Sequence, residues 1–160
     1  MGIYFNPGNG SFKQAVRSQI YVDKTGLLEV LNKRILSEAK CVAISHARRF
    51  GKSQAAGMID AYYSKGSDSR ELFSKFEIAK EADFEEHLNK YNVIHLDISS
   101  FTDFYKENLV EKITETLYEE FAEECPAVDY SKSIQSVLSH IYKDTGAAFI
   151  IIIDEWDCVV

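Results

Sequence analysis

Apolar positions along this chain fall into blocks with two different periods. Short, mostly β-branched runs occur at Ile20-Tyr21-Val22, Cys41-Val42-Ala43-Ile44, Val93-Ile94-His95-Leu96-Asp97-Ile98 and Phe149-Ile150-Ile151-Ile152-Ile153. Each is too short for a stable helix, so they read as strands, the second of them buried. Between them the apolar residues recur at helical spacing. Leu27, Leu28, Leu31 and Ile35 follow a capping Asp23 and predict a helix over 24–38. Ala55, Ala56, Ile59, Ala61 and Tyr62 predict one running to Tyr63, stopped by Lys65-Gly66-Ser67-Asp68. Residues 69–90 read as short helical pieces anchored by Leu72, Phe73, Phe76, Phe84 and Leu88. Leu109, Ile113, Leu117 and Phe121 predict a helix over 105–124, ended by Pro126. Ile134, Val137, Leu138 and Ile141 predict another over 132–144, stopped at Gly146. Strands separated by helices imply an α/β fold with a mostly parallel sheet covered on both faces.

Composition narrows the class without changing that picture. The chain has 160 residues, 46% hydrophobic and 27% charged, which suits one domain over 1–160 with residues 1–22 as a lead-in segment. Two prolines and eight glycines exclude a collagen-like or Pro/Gly-rich disordered chain. The longest apolar run, from Ala147 to Ile153, falls far short of the roughly 18 residues of a membrane span. Eighteen basic against 25 acidic residues leave a net charge of −7, which argues against a large nucleic-acid footprint. Any phosphate chemistry must therefore use a small local basic cluster. Cys41, Cys125 and Cys158 are odd in number and widely spaced, so they read as thiols in a reducing cytoplasm. The start of the chain carries no secretory signal pattern, which agrees with a cytoplasmic location. The four histidines show no metal-ligand spacing, and a site built from protein side chains alone is not expected.

Two short segments carry chemistry. Gly51-Lys52-Ser53 stands between an expected strand and an expected helix. A helix start offers unpaired N–H groups and a positive dipole end, so it suits an anion. A lysine there reaches outer phosphates and the adjacent serine hydroxyl can ligate Mg2+. The usual Gly-x-x-x-x-Gly-Lys-Ser/Thr pattern wants a glycine where this chain has His46. The second segment is Ile150-Ile151-Ile152-Ile153-Asp154-Glu155, where four apolar residues deliver a carboxylate to the end of a buried strand. That is the Walker B arrangement, with Asp154 supporting Mg2+ and Glu155 polarising an attacking water. In this order the two segments predict a P-loop NTPase with a three-layer α/β/α sandwich. The plainer alternatives are a solvated lysine beside a helix cap and an ordinary turn after a strand. Arg48 and Arg49 suit phosphate or neighbouring acids equally. Asp97 and Asp157 read as structural polar contacts, and Tyr62, Tyr63 and Trp156 as packing residues.

Three segments together resemble the AAA-ATPase-like family: Tyr21-Val22-Asp23-Lys24-Thr25, Arg48-Arg49-Phe50-Gly51-Lys52-Ser53, and Phe149-Ile150-Ile151-Ile152-Ile153-Asp154-Glu155-Trp156-Asp157. Asp68-Ser69-Arg70-Glu71-Leu72-Phe73 fits as well. These are bacterial proteins in which such a domain usually precedes a PD-(D/E)XK nuclease-like region. The resemblance implies that Arg48, Arg49, Phe50, Gly51, Lys52, Ser53 and Gln54 form the nucleotide-binding loop. It implies Ser53 and Asp154 as Mg2+ ligands, with Glu155 and Lys52 catalytic and the segment at Tyr21 flanking the base. The family pattern has Arg and Pro where this chain has His46 and Ala47. The Asp-Glu pair resembles the division with sheet order 5-1-4-3-2, so the resemblance also implies a sheet cut short after the Walker B strand and a further region beyond it.

The expected activity is ATP binding with Mg2+-dependent hydrolysis to ADP and phosphate. The alternative is a nucleotide-responsive switch that binds ATP with little turnover and engages a protein partner or a second copy of itself.

Overall fold

Residues 2–45, 51–101 and 108–159 are described by the computed structural model. The chain divides into two units, one formed by Gly8–Lys90 and the other by Met1–Pro7 with Tyr91–Val160. Helices and strands are mixed, and the sheet is a parallel pair.

The Gly8–Lys90 unit is helical. It contains α1 (Gly10–Val16), α2 (Gly26–Asn32), α3 (Lys52–Tyr63), α4 (Arg70–Phe73), a single 3-10 turn at Glu77–Lys80, and α5 (Phe84–His87). Its core is built on aromatic rings. Phe12 of α1 stacks on Phe73 of α4 with centroids 4.9 Å apart, and Tyr62 of α3 meets Phe73 edge-on at 5.3 Å. Contact between α1 and α3 depends on Gly57, because a Cβ there would stand 2.9 Å from Ser11 Oγ. Buried tyrosine hydroxyls find partners, as they must away from water. Tyr63 donates to Asn32 Oδ1 at 2.6 Å and Tyr62 to the Phe84 carbonyl at 3.0 Å. Asn89, held at φ 56, ties off the end of α3: its amide donates to the carbonyls of Ala61 and Ser64, both at 3.0 Å. Its carbonyl accepts from Ser69 N–H at 3.1 Å.

The second unit contains β1 (Asn92–Asp97), α6 (Leu109–Glu124), α7 (Ile134–Thr145) and β2 (Phe149–Asp154). The two strands pair in parallel from Asn92↔Phe149 to Asp97↔Asp154, as a strand–helix–strand crossover requires. Leu117 and Phe121 of α6, and Val137 and Ile141 of α7, are buried with Phe5, Ile94 and Leu96 in one cluster. The chain start runs antiparallel along the other side of β1. Phe5 bridges Ile94, Asn6 N–H donates to the Val93 carbonyl at 2.8 Å, and His95 N–H donates to the Tyr4 carbonyl at 2.8 Å. One carboxylate fixes that segment. Glu120 accepts from the N–H groups of Ile3, Tyr4 and Phe5 at 2.8, 2.9 and 2.7 Å.

Most expected helices appear, with changed bounds. α3 runs to Tyr63 and α7 stops at a left-handed Gly146 with φ 65, both as expected. α6 begins at Leu109, and residues 105–107 of its expected range lie outside those described. α2 covers only Gly26–Asn32, after which the chain continues as turns, and the Asn32 side chain meets the two buried tyrosine hydroxyls. Two expected strands are not formed. Residues 20–22 and 41–44 carry no strand, and 41–44 are exposed where burial was expected. An apolar run becomes a strand only where another backbone supplies its hydrogen bonds. Among the described residues neither run has such a ladder. Nor is β2 covered on both faces, since Ile151 and Ile153 are each 54% exposed. Trp156, expected to pack, is 64% exposed, whereas Tyr62 and Tyr63 are fully buried. No helix among the described residues is long and apolar enough to cross a membrane.

Candidate functional site

At the start of α3, Gly51 is in the left-handed region (φ 82, ψ 29) and turns the chain into the helix. Glycine adopts that conformation at no steric cost, whereas an L side chain does not. Lys52 and Ser53 are therefore the first two helical residues, followed by Gln54. Lys52 is half-buried, and Ser53 and Gln54 are exposed. Among the described residues no side chain caps this helix, and no acid lies in its first turn. The Gly51 carbonyl accepts from Ala55 N–H at 3.0 Å, while among the described residues nothing accepts from the N–H groups of Lys52, Ser53 or Gln54. Such a terminus carries partial positive charge from its aligned peptide dipoles. Arg48, Arg49 and Phe50, with His46 and Ala47, lie outside the described residues.

A second cation reaches this terminus. A Cβ built on Gly51 would stand 2.5 Å from Lys24 Nζ and 3.4 Å from Gln54 Oε1. Lys24 is presented by a tied-down segment. Asp23, expected to cap α2, instead accepts from Thr25 N–H at 2.8 Å with one oxygen and from Glu77 N–H at 3.2 Å with the other. Buried Thr25 accepts from Ile78 N–H at 3.3 Å. Tyr21 packs its ring against Phe12 and Phe76. Burial, and then the charge of Asp23, push its phenol up to about 12, against a smaller opposing effect of the Lys24 backbone N–H. Sequence spacing gave no sign that Lys24 and Gly51 meet. The only hint was that Lys24 sits in a segment shared with the family, where a position beside the base was expected.

Asp154 and Glu155 stand together at the carboxyl end of β2. The Asp154 carboxylate accepts from Glu155 N–H at 2.9 Å, and its carbonyl accepts from Ile98 N–H at 3.0 Å. Glu155 has φ 49, a left-handed backbone on a residue with a Cβ. Strain of this kind persists where the surroundings or the function require it. Asp97 is the register partner of Asp154, and its carboxylate is engaged by Ser99 N–H at 3.0 Å and Ser99 Oγ at 2.6 Å, which makes it a turn residue. Thus Lys24, Gly51, Lys52, Ser53 and Gln54 gather in the helical unit, and Asp154 with Glu155 in the other.

The donors fit the groups expected to bind. A serine hydroxyl and a carboxylate are the hard oxygen ligands that Mg2+ takes, normally completed by phosphate oxygens and water. The start of α3, where among the described residues nothing accepts from the first N–H groups, suits an anionic phosphate. No curated protein and no solved structure matches the chain. The family described as Predicted AAA-ATPase matches residues 8–160, nearly the whole sequence. The chain therefore belongs to the AAA-ATPase-like family.

Proposed function

We propose that this chain is the ATP-binding part of a P-loop ATPase that hydrolyses ATP to ADP and phosphate with Mg2+. The observation that carries the reading is the left-handed Gly51 opening α3 with Lys52 and Ser53 in its first two positions. Family membership agrees with it. Backbone N–H groups at the start of α3 would hold the phosphate chain, and the Lys52 ammonium would neutralise its outer oxygens. Ser53 and Asp154 would hold Mg2+, which when bound offsets charge on the phosphate oxygens. Glu155 would accept a hydrogen bond from the attacking water and orient it toward the terminal phosphorus. Arg48 and Arg49 would add positive charge to the same loop. Catalysis of this kind is mostly positioning and electrostatics. On this reading the chain has a P-loop α/β fold and works in the cytoplasm, with no nucleic acid bound to residues 1–160.

Phosphate release and ATP binding, measured on the parent chain, Lys52→Ala and Glu155→Gln, test the proposal. Glu155→Gln is expected to bind ATP as the parent does while losing turnover by about 100-fold or more. Lys52→Ala is expected to lose binding. A parent chain that binds ATP and shows no turnover supports the switch instead. Unchanged binding in Lys52→Ala places the phosphate site elsewhere and ends both readings.

A further inference from the structure

We propose that Lys24 is a second phosphate-binding cation, acting beside Lys52 on the polyphosphate of the nucleotide. The inference rests on the reading of the α3 start as a phosphate site and adds a residue from a segment 27 positions earlier in the chain than Gly51. The position of Lys24 Nζ, 2.5 Å from where a Gly51 Cβ would stand, puts an ammonium directly over the turn into α3. Its neighbours on both sides are anchored. Asp23 accepts from two backbone N–H groups, Thr25 accepts from a third, and the Lys24 carbonyl accepts from Leu27 N–H at 3.0 Å. The lysine is therefore presented by a fixed backbone, which lowers the entropy lost when it engages a ligand. It also adds positive charge to a helix end that is already positive and has no acid in its first turn. The helix dipole and the Lys24 ammonium both make this turn positive, and Lys52 stands at the first position of the same helix. A polyanion is the ligand class that uses all three. Gly51 then has two roles, supplying a left-handed turn and leaving the space that Lys24 crosses.

A cation on the phosphate chain and one beside the base predict different ligand dependence. Calorimetric titration of the full chain with AMP, ADP and ATP would use the parent, Lys24→Gln, Lys24→Arg and Lys52→Ala. Lys24→Gln is expected to weaken ATP binding by about tenfold or more, as loss of a charge-assisted contact implies, with a smaller loss for ADP and little for AMP. Lys24→Arg should recover most of it. Equal losses across the three nucleotides, or none, overturn the proposal even while Lys52→Ala still abolishes binding. If Lys52→Ala binds ATP like the parent, the phosphate site itself is misplaced and Lys24 falls with it. A footprint on the unmutated chain gives an answer should Lys24→Gln lose the hydrogen-exchange protection of α3. Saturating ATP should shield Lys24 from amine acylation several-fold, read by mass spectrometry, and AMP should not. Equal acylation with and without ATP overturns the assignment.

Discussion

Replacing Glu155 by glycine is expected to stabilise the protein and abolish hydrolysis together. Glu155 has φ 49, where an L side chain crowds the following carbonyl at about 1–2 kcal/mol. Glycine removes that cost but gains about 0.4–1 kcal/mol of unfolded-state entropy, so the net gain is about 0.5–1 kcal/mol. Little offsets it. The hydrogen bonds at this residue use its backbone, whose N–H donates to Asp154 Oδ1 at 2.9 Å and whose carbonyl accepts from Cys158 N–H at 3.2 Å, and both survive the change. Among the described residues the Glu155 carboxylate makes no ion pair. Urea unfolding followed by circular dichroism should show the midpoint rising by about 0.25–0.5 M, taking a slope near 2 kcal/mol per M. Glu155→Ala is the control, because it removes the carboxylate and keeps the strained backbone. It should show no comparable gain. If glycine and alanine are equally stable, the left-handed residue stores no strain and the argument for a functional reason behind it fails.

Two further outcomes concern the units separately. Glu120→Ala strands three backbone N–H groups at the chain start and should lower the stability of the sheet-containing unit by about 2–4 kcal/mol, with Glu120→Gln between it and the parent; unchanged thermal unfolding would show that the carboxylate does not anchor the segment. Burial and the nearby Asp23 charge raise the Tyr21 phenol from 10.0 to about 12, so its contribution to stability is complete below pH 10 and lost as pH rises through about 12. Tyr21→Phe should therefore flatten the alkaline fall in stability of the helical unit over that interval; an identical fall in both proteins would contradict the burial.

What the sequence made legible was mostly local. The strand before Asp154, the Gly146 stop and the stripe through Val137 and Ile141 each depend on neighbours a few positions away, and all three appear, although the strand lacks the burial expected of it. The same holds for the turn at Gly51, since one glycine before Lys-Ser carries its own conformational reason. What stayed hidden depends on partners distant in the chain. Residues 41–44 have the composition of a buried strand, but a strand needs a second backbone, and periodicity cannot say whether one is present. Glu120 looks like one more acid on a solvated helix until the chain start lays three N–H groups against it. Asp23 likewise reads as a cap for α2, yet its second oxygen serves Glu77, 54 residues away. Lys24 is the functional counterpart of these cases, because only the fold brings its ammonium to Gly51.

If Lys52 binds the phosphates and Asp154 supports Mg2+, as proposed, equilibrium ATP binding with and without Mg2+ separates the two roles. The parent, Lys52→Ala and Asp154→Asn would be titrated side by side. Lys52→Ala should lose ATP binding under both conditions, and Asp154→Asn should match the parent without Mg2+ but lose the tightening that the ion brings. Full Mg2+ tightening in Asp154→Asn, or parent-like affinity in Lys52→Ala, would contradict the account.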